Sequence, residues 1–172
     1  MIRLKERLAA HKSNILKKWF DLIVDTYPYD SSKYLKNVKN RFGNPVGSTI
    51  SMEIEKLYDE LLGDMDSGKI FTSLDSIIKI RSVQEFTASE AVAFVFMLKS
   101  AALEQLRGDL KEEGMLADWL AFESRIDKLA LQAFDSYADS RERIFDIRVR
   151  EIRRKAELVM MDRINMPRRA KE

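Results

Sequence analysis

Hydrophobic positions recur at steps of three and four along nearly the whole chain, and alternation with a period of two does not extend over any useful length. The first spacing places apolar side chains on one face of a helix, whereas the second is typical of strands. The pattern therefore predicts an all-α fold, a compact bundle of five to seven helices with a long C-terminal helix.

Polar and breaker residues predict the helix boundaries in the first part of the chain. Ser13 is a candidate cap for the second helix, and Pro28 ends that helix. A short helix is expected after Ser31-Ser32, around Tyr34, Leu35 and Val38. The run Gly43-Asn44-Pro45-Val46-Gly47 is a turn by composition, with Ser48 as the candidate cap of the helix that follows.

Further along, Gly63 ends one helix, and Asp66 or Ser67 begins the next. Thr87-Ala88-Ser89-Glu90 has the spacing of a capping box, in which each side chain accepts the backbone N–H of the other residue. The helix that it opens is apolar on every side over residues 91–98, which predicts neighbours all around it.

Residues 116–166 contain neither Gly nor Pro, which predicts one helix of about 75 Å. Up to Tyr137 its apolar residues are dense, as expected of a segment packed against the body: Leu116, Trp119, Leu120, Phe122, Ile126, Leu129, Leu131, Ala133 and Phe134. Beyond it they thin to a narrow seam: Ile144, Phe145, Val149, Ile152, Ala156 and Val159. From Phe145 the steps alternate between four and three, which is typical of a two-stranded coiled coil.

Charge divides the chain at the same place. Residues 141–172, called the arm below, contain eleven basic and six acidic residues, a net charge of +5, whereas residues 1–140 carry −3. We expect a helical sensory or regulatory bundle over 1–140, and in the arm a surface for a homodimer or another protein partner. The alternative is that the arm folds back on the bundle. Nucleic acid is a less favoured partner, because acidic residues alternate with the arginines.

The composition bounds the remaining possibilities. The chain has 172 residues, 45% of them hydrophobic, and can bury its own core. It lacks Cys, which excludes disulfides and thiolate metal sites, and no apolar run approaches the ~20 residues that span a bilayer. The charged N-terminus does not resemble a signal peptide, so we expect a cytoplasmic protein.

Candidate chemistry is sparse. The single His11 lacks clustered carboxylates, no Ser has the surroundings of a nucleophile, and no glycine run has the Lys of a phosphate loop. We therefore expect no enzyme, no metal site and no cofactor. One polar group is a candidate ligand pocket: Arg41, Asn44, Arg81, Gln84 and Phe94. Its alternative role is structural, since Arg and Gln commonly bind carbonyls at helix ends.

Several stretches occur together in a familiar order. They are Trp19 with Tyr27-Pro28, the run 41–47, Ile80-Arg81-Ser82-Val83-Gln84-Glu85-Phe86-Thr87, the run 91–95, Ala133-Phe134-Asp135-Ser136-Tyr137 and Arg141-Glu142-Arg143-Ile144. In this order and spacing they resemble the N-terminal domain of RsbRD-type proteins, which are named as co-antagonists of the RsbT kinase in bacterial stress signalling. The resemblance implies a helical regulatory or sensory input domain and covers nearly the whole chain.

The larger relatives carry a STAS domain with the phosphorylated Ser or Thr, and this sequence stops where that domain would start, so we expect a stand-alone version. A stressosome role and phosphorylation by RsbT are therefore not implied. Three functions are considered: a non-catalytic regulatory or sensory module that relays ligand or partner binding through its long C-terminal helix, a structural adaptor on a larger complex, and a ligand or haem carrier that uses His11.

Overall fold

The computed structural model describes residues 2–36, 43–84, 86–112 and 114–165. Within these ranges every regular element is helical, which confirms the all-α prediction. The seven α-helices described here, and one 3₁₀ helix, are α1 (Ile2–Ala10), α2 (Lys12–Val24), α3 (Tyr29–Leu35), α4 (Pro45–Leu62), α5 (Ser67–Val83), α6 (Ala88–Leu106), the 3₁₀ helix (Asp109–Lys111) and α7 (Met115–Asn165).

Capping residues begin α5 and α6 as expected. Asp66 accepts the backbone N–H groups of Gly68 and Lys69, and Gly63 follows the last residue of α4. At α6 the Thr87 N–H donates to Glu90 Oε2 at 2.9 Å, and the Glu90 N–H donates to Thr87 Oγ1 at 3.3 Å. The capping box is confirmed. Because these bonds favour the ionised carboxylates, they lower the pKa of both Glu90 and Asp66.

Two predicted caps are wrong. His11, not Ser13, occupies the cap position of α2, and its side chain makes no capping bond. Asn44, not Ser48, caps α4, since its Oδ1 accepts the Gly47 N–H at 2.9 Å. The run 43–47 therefore contains the start of α4, because Pro fits the first helical turn and Asn is a strong cap.

The short third helix begins earlier than expected, at Tyr29, directly after Pro28. Its buried members are Ser32 and Leu35. Val38, which was also expected in this helix, lies outside the described residues. Pro28 thus stands at the cap position of α3, whereas α2 ends at Val24.

Two buried hydrogen bonds join distant parts of the core. Trp19 Nε1 of α2 donates to the Phe94 carbonyl of α6 at 2.6 Å, and the Tyr58 hydroxyl of α4 donates to the Leu8 carbonyl at 2.9 Å. Burial raises the pKa of Tyr58. Every α-helix contributes at least one buried apolar residue to the same cluster.

α6 lies on the inside of the bundle over most of its surface, but not all around. Ala91, Val92, Phe94, Val95 and Leu98 are buried, whereas Phe96 is 46% exposed. The expectation of neighbours on every side of residues 91–98 is therefore wrong on one side of the helix. An apolar run shows that burial is favourable, but it does not decide where the neighbouring helices end.

α7 is one unbroken helix of 51 residues, which confirms the long C-terminal helix. From Arg141 to Met161 its side chains are exposed, apart from Ile144 and Val149, which are half-buried. This part of the arm projects from the bundle instead of folding back on it.

The part of α7 before the arm is covered on one side only. Its inner face packs on α1, α4, α5 and α6. Of the dense apolar residues expected to pack against the body, four are more than half exposed: Leu116, Leu120, Leu131 and Phe134. The prediction was wrong for these four, because a high density of apolar residues does not show which faces of a helix have a partner.

We expect Gly47→Ala to lower the free energy of unfolding by about 1–3 kcal/mol. A Cβ at Gly47 would lie 2.4 Å from the Leu35 carbonyl oxygen and 2.5 Å from Asn44 Nδ2, so the corner between α3 and α4 must open. Gly108→Ala is the control, since a Cβ there meets nothing within 4 Å. Urea unfolding of both variants measures the difference. Equal stabilities would contradict the prediction and show that the corner between α3 and α4 opens without a measurable cost.

Candidate functional site

Arg81, in the last turn of α5, is completely buried, with 0% of its surface exposed. Its Nη2 donates to Thr26 Oγ1 at 3.3 Å and to the Glu90 carbonyl at 3.0 Å. The guanidinium carbon lies 4.1 Å from the centre of the Phe86 ring and 5.4 Å from that of Tyr27. Nε and Nη1 have no hydrogen-bond partner among the described residues.

No carboxylate in the described part of the chain forms an ion pair with Arg81. Burial lowers the pKa of Arg81, although an arginine this basic keeps its proton. The faces of the two aromatic rings and the carbonyl dipole offset part of the cost of burying the charge. The result is a buried cation with two open hydrogen-bond donors.

Two adjoining clefts open beside this arginine, and Tyr27, Ser31 and Gln84 line both of them. The larger has a volume of about 480 Å³, and Phe86 and Glu90 also line it. The smaller has a volume of about 410 Å³ and extends along α3. We call the pair the Tyr27 cleft. Its walls come from the connection between α2 and α3 and the connection between α5 and α6.

Two residues that line the Tyr27 cleft each have a buried polar atom without a partner among the described residues, the Tyr27 hydroxyl and Gln84 Oε1. Burial raises the pKa of Tyr27, and the nearby charge and donor groups of Arg81 oppose that rise. A neutral phenol donates a hydrogen bond and an amide oxygen accepts one. A molecule that reached these two atoms could accept a hydrogen bond from Tyr27 and donate one to Gln84.

The structure brings some of the predicted pocket residues together and separates others. Arg81 and Gln84 adjoin the Tyr27 cleft. Asn44 lies at the corner between α3 and α4, where its amide group donates to the carbonyls of Tyr34 and Leu35 at 3.2 and 2.8 Å. Phe94 is in the closed core and lines neither cleft. Arg41 lies outside the described residues.

Sequence reasoning missed Tyr27, Phe86 and Glu90 as walls of this cleft. Each lies beside a boundary signal that was recognised, the Tyr27-Pro28 step and the capping box. Such signals locate helix ends but do not show which ends meet in space. Only the packing of α2 against α6, and of α5 against α6, places these two connections next to each other.

The connection between α5 and α6 is held from its other side by α7. The Tyr137 hydroxyl donates to the Phe86 carbonyl at 3.1 Å, and Arg141 Nη1 donates to the Ser82 carbonyl at 3.3 Å. Arg141 is the first residue of the arm. One segment of backbone thus forms a wall of the Tyr27 cleft and also anchors the root of the arm.

The arm carries the second candidate surface. Of the six predicted seam residues, Phe145, Ile152, Ala156 and Val159 are exposed, and Ile144 and Val149 are half-buried. Phe145 is 65% and Ile152 67% exposed, so the described part of the chain leaves most of these two apolar side chains uncovered.

His11 lies between α1 and α2 and is half-buried. Among the described residues, no three His, Asp or Glu side chains group in a way that would hold a metal ion. No helix in the described ranges combines the length and apolarity needed to cross a membrane.

A family model described as the RsbT co-antagonist protein rsbRD N-terminal domain matches residues 13–152. The match includes the Tyr27 cleft, Arg81 and the residues of α7 that hold the α5–α6 connection. It confirms the resemblance inferred from the sequence motifs. No curated protein and no solved structure matches the chain.

We expect the free energy of unfolding of Arg81→Met to equal or exceed that of the wild type, or to fall below it by no more than about 1 kcal/mol. Replacing a buried charge by an apolar side chain of similar volume removes its desolvation cost. Thr26 keeps a hydrogen bond from its hydroxyl to the Ile23 carbonyl at 2.7 Å, so the substitution leaves it satisfied. Arg81→Ala is the matched control and should cost about 2–5 kcal/mol through the void it creates.

Urea unfolding of the three proteins decides the point. If Arg81→Met is destabilised as strongly as Arg81→Ala, the hydrogen bonds and charge of the arginine stabilise the fold. If it is not, the buried charge serves a purpose other than stability.

Proposed function

The chain belongs to the family of RsbT co-antagonist protein RsbRD N-terminal domains, and on that premise we propose that it is a non-catalytic regulatory module in bacterial stress signalling. In this proposal the Tyr27 cleft receives a small molecule or a segment of a partner. The arm passes the effect of binding to a second protein or a second copy. A cytoplasmic location belongs to the same proposal.

One observation carries it: Tyr137 and Arg141 bind the backbone that forms a wall of the cleft. A ligand that contacts Gln84 or Phe86 would displace the Phe86 and Ser82 carbonyls, or hold them in place. Displacement would weaken two hydrogen bonds at the root of the arm and fixation would strengthen them, each bond being worth about 1 kcal/mol. Coupling between two binding sites typically amounts to about 1–3 kcal/mol, so two such bonds are sufficient.

The groups in the cleft suggest what would bind there. The Tyr27 hydroxyl requires an acceptor, and Gln84 Oε1 requires a donor. Phe86 and Pro28 provide apolar walls, whereas the Glu90 carboxylate disfavours a strongly anionic ligand in the larger cleft. These features favour a small neutral or zwitterionic molecule that has both a donor and an acceptor.

A structural adaptor is the alternative. An adaptor needs only a body without a ligand cleft and an arm of fixed orientation. It does not explain why polar atoms without hydrogen-bond partners lie beside a buried cation. The Tyr27 cleft therefore favours the regulatory module. For a carrier that uses His11, the described residues supply no second ligand near that side chain.

The relay can be tested without knowing the ligand, by filling the cleft. Ser31 is exposed and lines both parts of it, so Ser31→Trp places a ring at its entrance. We expect amide hydrogen exchange to change at residues 84–87 and also, by about threefold or more, at the root of the arm. Lys33→Trp, on the same helix but outside the cleft, should change neither region.

Tyr137→Phe removes one of the two bonds that join the connection to the arm. In the double variant with Ser31→Trp, residues 84–87 should still respond and the arm should respond less. A response at 84–87 with none in the arm of the Ser31→Trp protein would contradict the relay.

A further inference from the structure

Ile147, Leu158 and Met161 are exposed on one side of the arm. Seven other exposed apolar side chains follow one line along α7, on the body as well as on the arm. All are more than half exposed, and we call them the outer stripe: Leu116, Leu120, Leu131, Phe134, Phe145, Ile152 and Val159. At 3.6 residues per turn they lie within an arc of about 80°. Val149, Ala138 and Ala156 fall on the same arc. Such a stripe is typical of a helix that packs against another long helix.

Within the described residues the body does not cover this stripe, and the described part of the arm does not fold back to do so. A stripe of this length fits another long helix with a matching stripe, which a second copy of this chain provides. We propose that two copies pair through their outer stripes with the two α7 helices antiparallel. The arm of each copy then lies on the body segment of α7 in the other.

Charge favours this orientation. Residues 115–140 of α7 contain five acidic and two basic residues, a net charge of −3. Residues 141–161 contain seven basic and four acidic residues, a net charge of +3. An antiparallel pair places each positive segment along a negative one, whereas a parallel pair places like charges together.

Individual positions point the same way. In a parallel pair that shares the seam of Phe145, Val149 and Ile152, Arg148 of one copy faces Arg153 of the other, at the positions that set helix orientation. The antiparallel pair instead brings arm arginines to the stretch where Glu123 and Asp127 interrupt the outer stripe. Asp127 pairs with Lys99 at 2.7 Å but remains 54% exposed, so it can accept a second cation.

Size favours a dimer along the whole outer stripe over one through the arms alone. The outer stripe covers about 45 residues, or ~65 Å of helix about 10 Å wide, which gives about 650 Å² per copy. A stable interface uses roughly 800 Å² per partner. The described part of the arm alone gives only about 300 Å². A dimer through the arms alone is therefore too small, and one along the whole stripe is close to sufficient.

The middle of the stripe lies near Ala138, which is exposed. In the antiparallel pair this small residue lies near the two-fold axis, where the helices can approach closely. The same arrangement places Val159 of one copy near Leu116 of the other. In a parallel pair Val159 would lie beside its own equivalent, whereas in the antiparallel pair the two copies of Val159 are ~60 Å apart.

Because the chain has no Cys, single cysteines report this arrangement directly. We expect full-length Val159→Cys mixed with full-length Leu116→Cys to form a disulfide-linked dimer at least about fivefold faster than either variant alone. Arg154→Cys mixed with Leu116→Cys is the matched control and should not cross-link, because Arg154 lies on the opposite face of α7. Rapid cross-linking of Val159→Cys with itself would overturn the antiparallel pair.

Sedimentation of the uncrosslinked chain completes the test. We expect a dimer whose dissociation constant rises at least about threefold between about 0.05 and 0.5 M salt, because screening weakens attraction between opposite charges. A truncation after Ser140 should be a monomer. A monomeric full chain would overturn the proposal and leave the stripe to a different protein or a membrane surface. A dimer that tightens in salt would overturn the orientation.

This inference rests on the proposed use of the arm as a contact surface, but different experiments test the pairing and the relay. Cross-linking and sedimentation report the pairing, whereas hydrogen exchange in the Ser31→Trp protein reports the relay. A dimer whose arm does not respond to the filled cleft would remove the relay and leave the pairing intact.

Discussion

The inner face of α7 is the constraint on which the rest of the structure depends. This helix packs on α1, α4, α5 and α6 before it leaves the body. Its Phe122, Ile126 and Leu129 are completely buried. Because a helix is stiff over many turns, the segment that packs on the body and the segment that projects from it move as one. The proposed relay uses this stiffness, since a change in how the body holds α7 would change the direction of the arm.

Most buried polar groups in the bundle are satisfied and join elements that are far apart in the chain. Trp19, Tyr58 and Asn44 each bond a distant backbone carbonyl, and Arg125 Nη1 bonds the carbonyls of Leu61 and Gly63 at the end of α4. Among the described residues six buried side-chain atoms lack a hydrogen-bond partner: four belong to Tyr27, Arg81 and Gln84, which lie in one small region, and the other two to Glu53 and Ser136. Open buried groups cost stability, and the concentration of four of them around Arg81 is the reason for placing the proposed ligand site there.

That region and the arm share one short stretch of backbone, the connection between α5 and α6. Gln84 and Phe86 face the Tyr27 cleft, and the carbonyls of Ser82 and Phe86 accept the bonds from α7. No long chain of contacts is needed between the two surfaces, because opposite sides of the same segment serve them. The outer stripe is a further contact surface on the same helix. A change in the orientation of the arm would therefore also affect a partner bound along α7.

Local chemistry in the sequence determined much of this protein. The all-α class, the capping box at Thr87, the Asp66 cap, the end of α4 at Gly63 and the unbroken α7 follow from interactions within one or two helical turns. The likeness to the RsbRD N-terminal domain followed in the same way, from motifs read in order. Tertiary structure alone decided that Leu131 and Phe134 face outward, that Asn44 serves a corner instead of a pocket, and that Tyr27 and Phe86 meet around Arg81. The reason is physical: a periodic pattern shows which side chains gain from burial, but whether a given face is covered depends on the neighbours that the other helices provide.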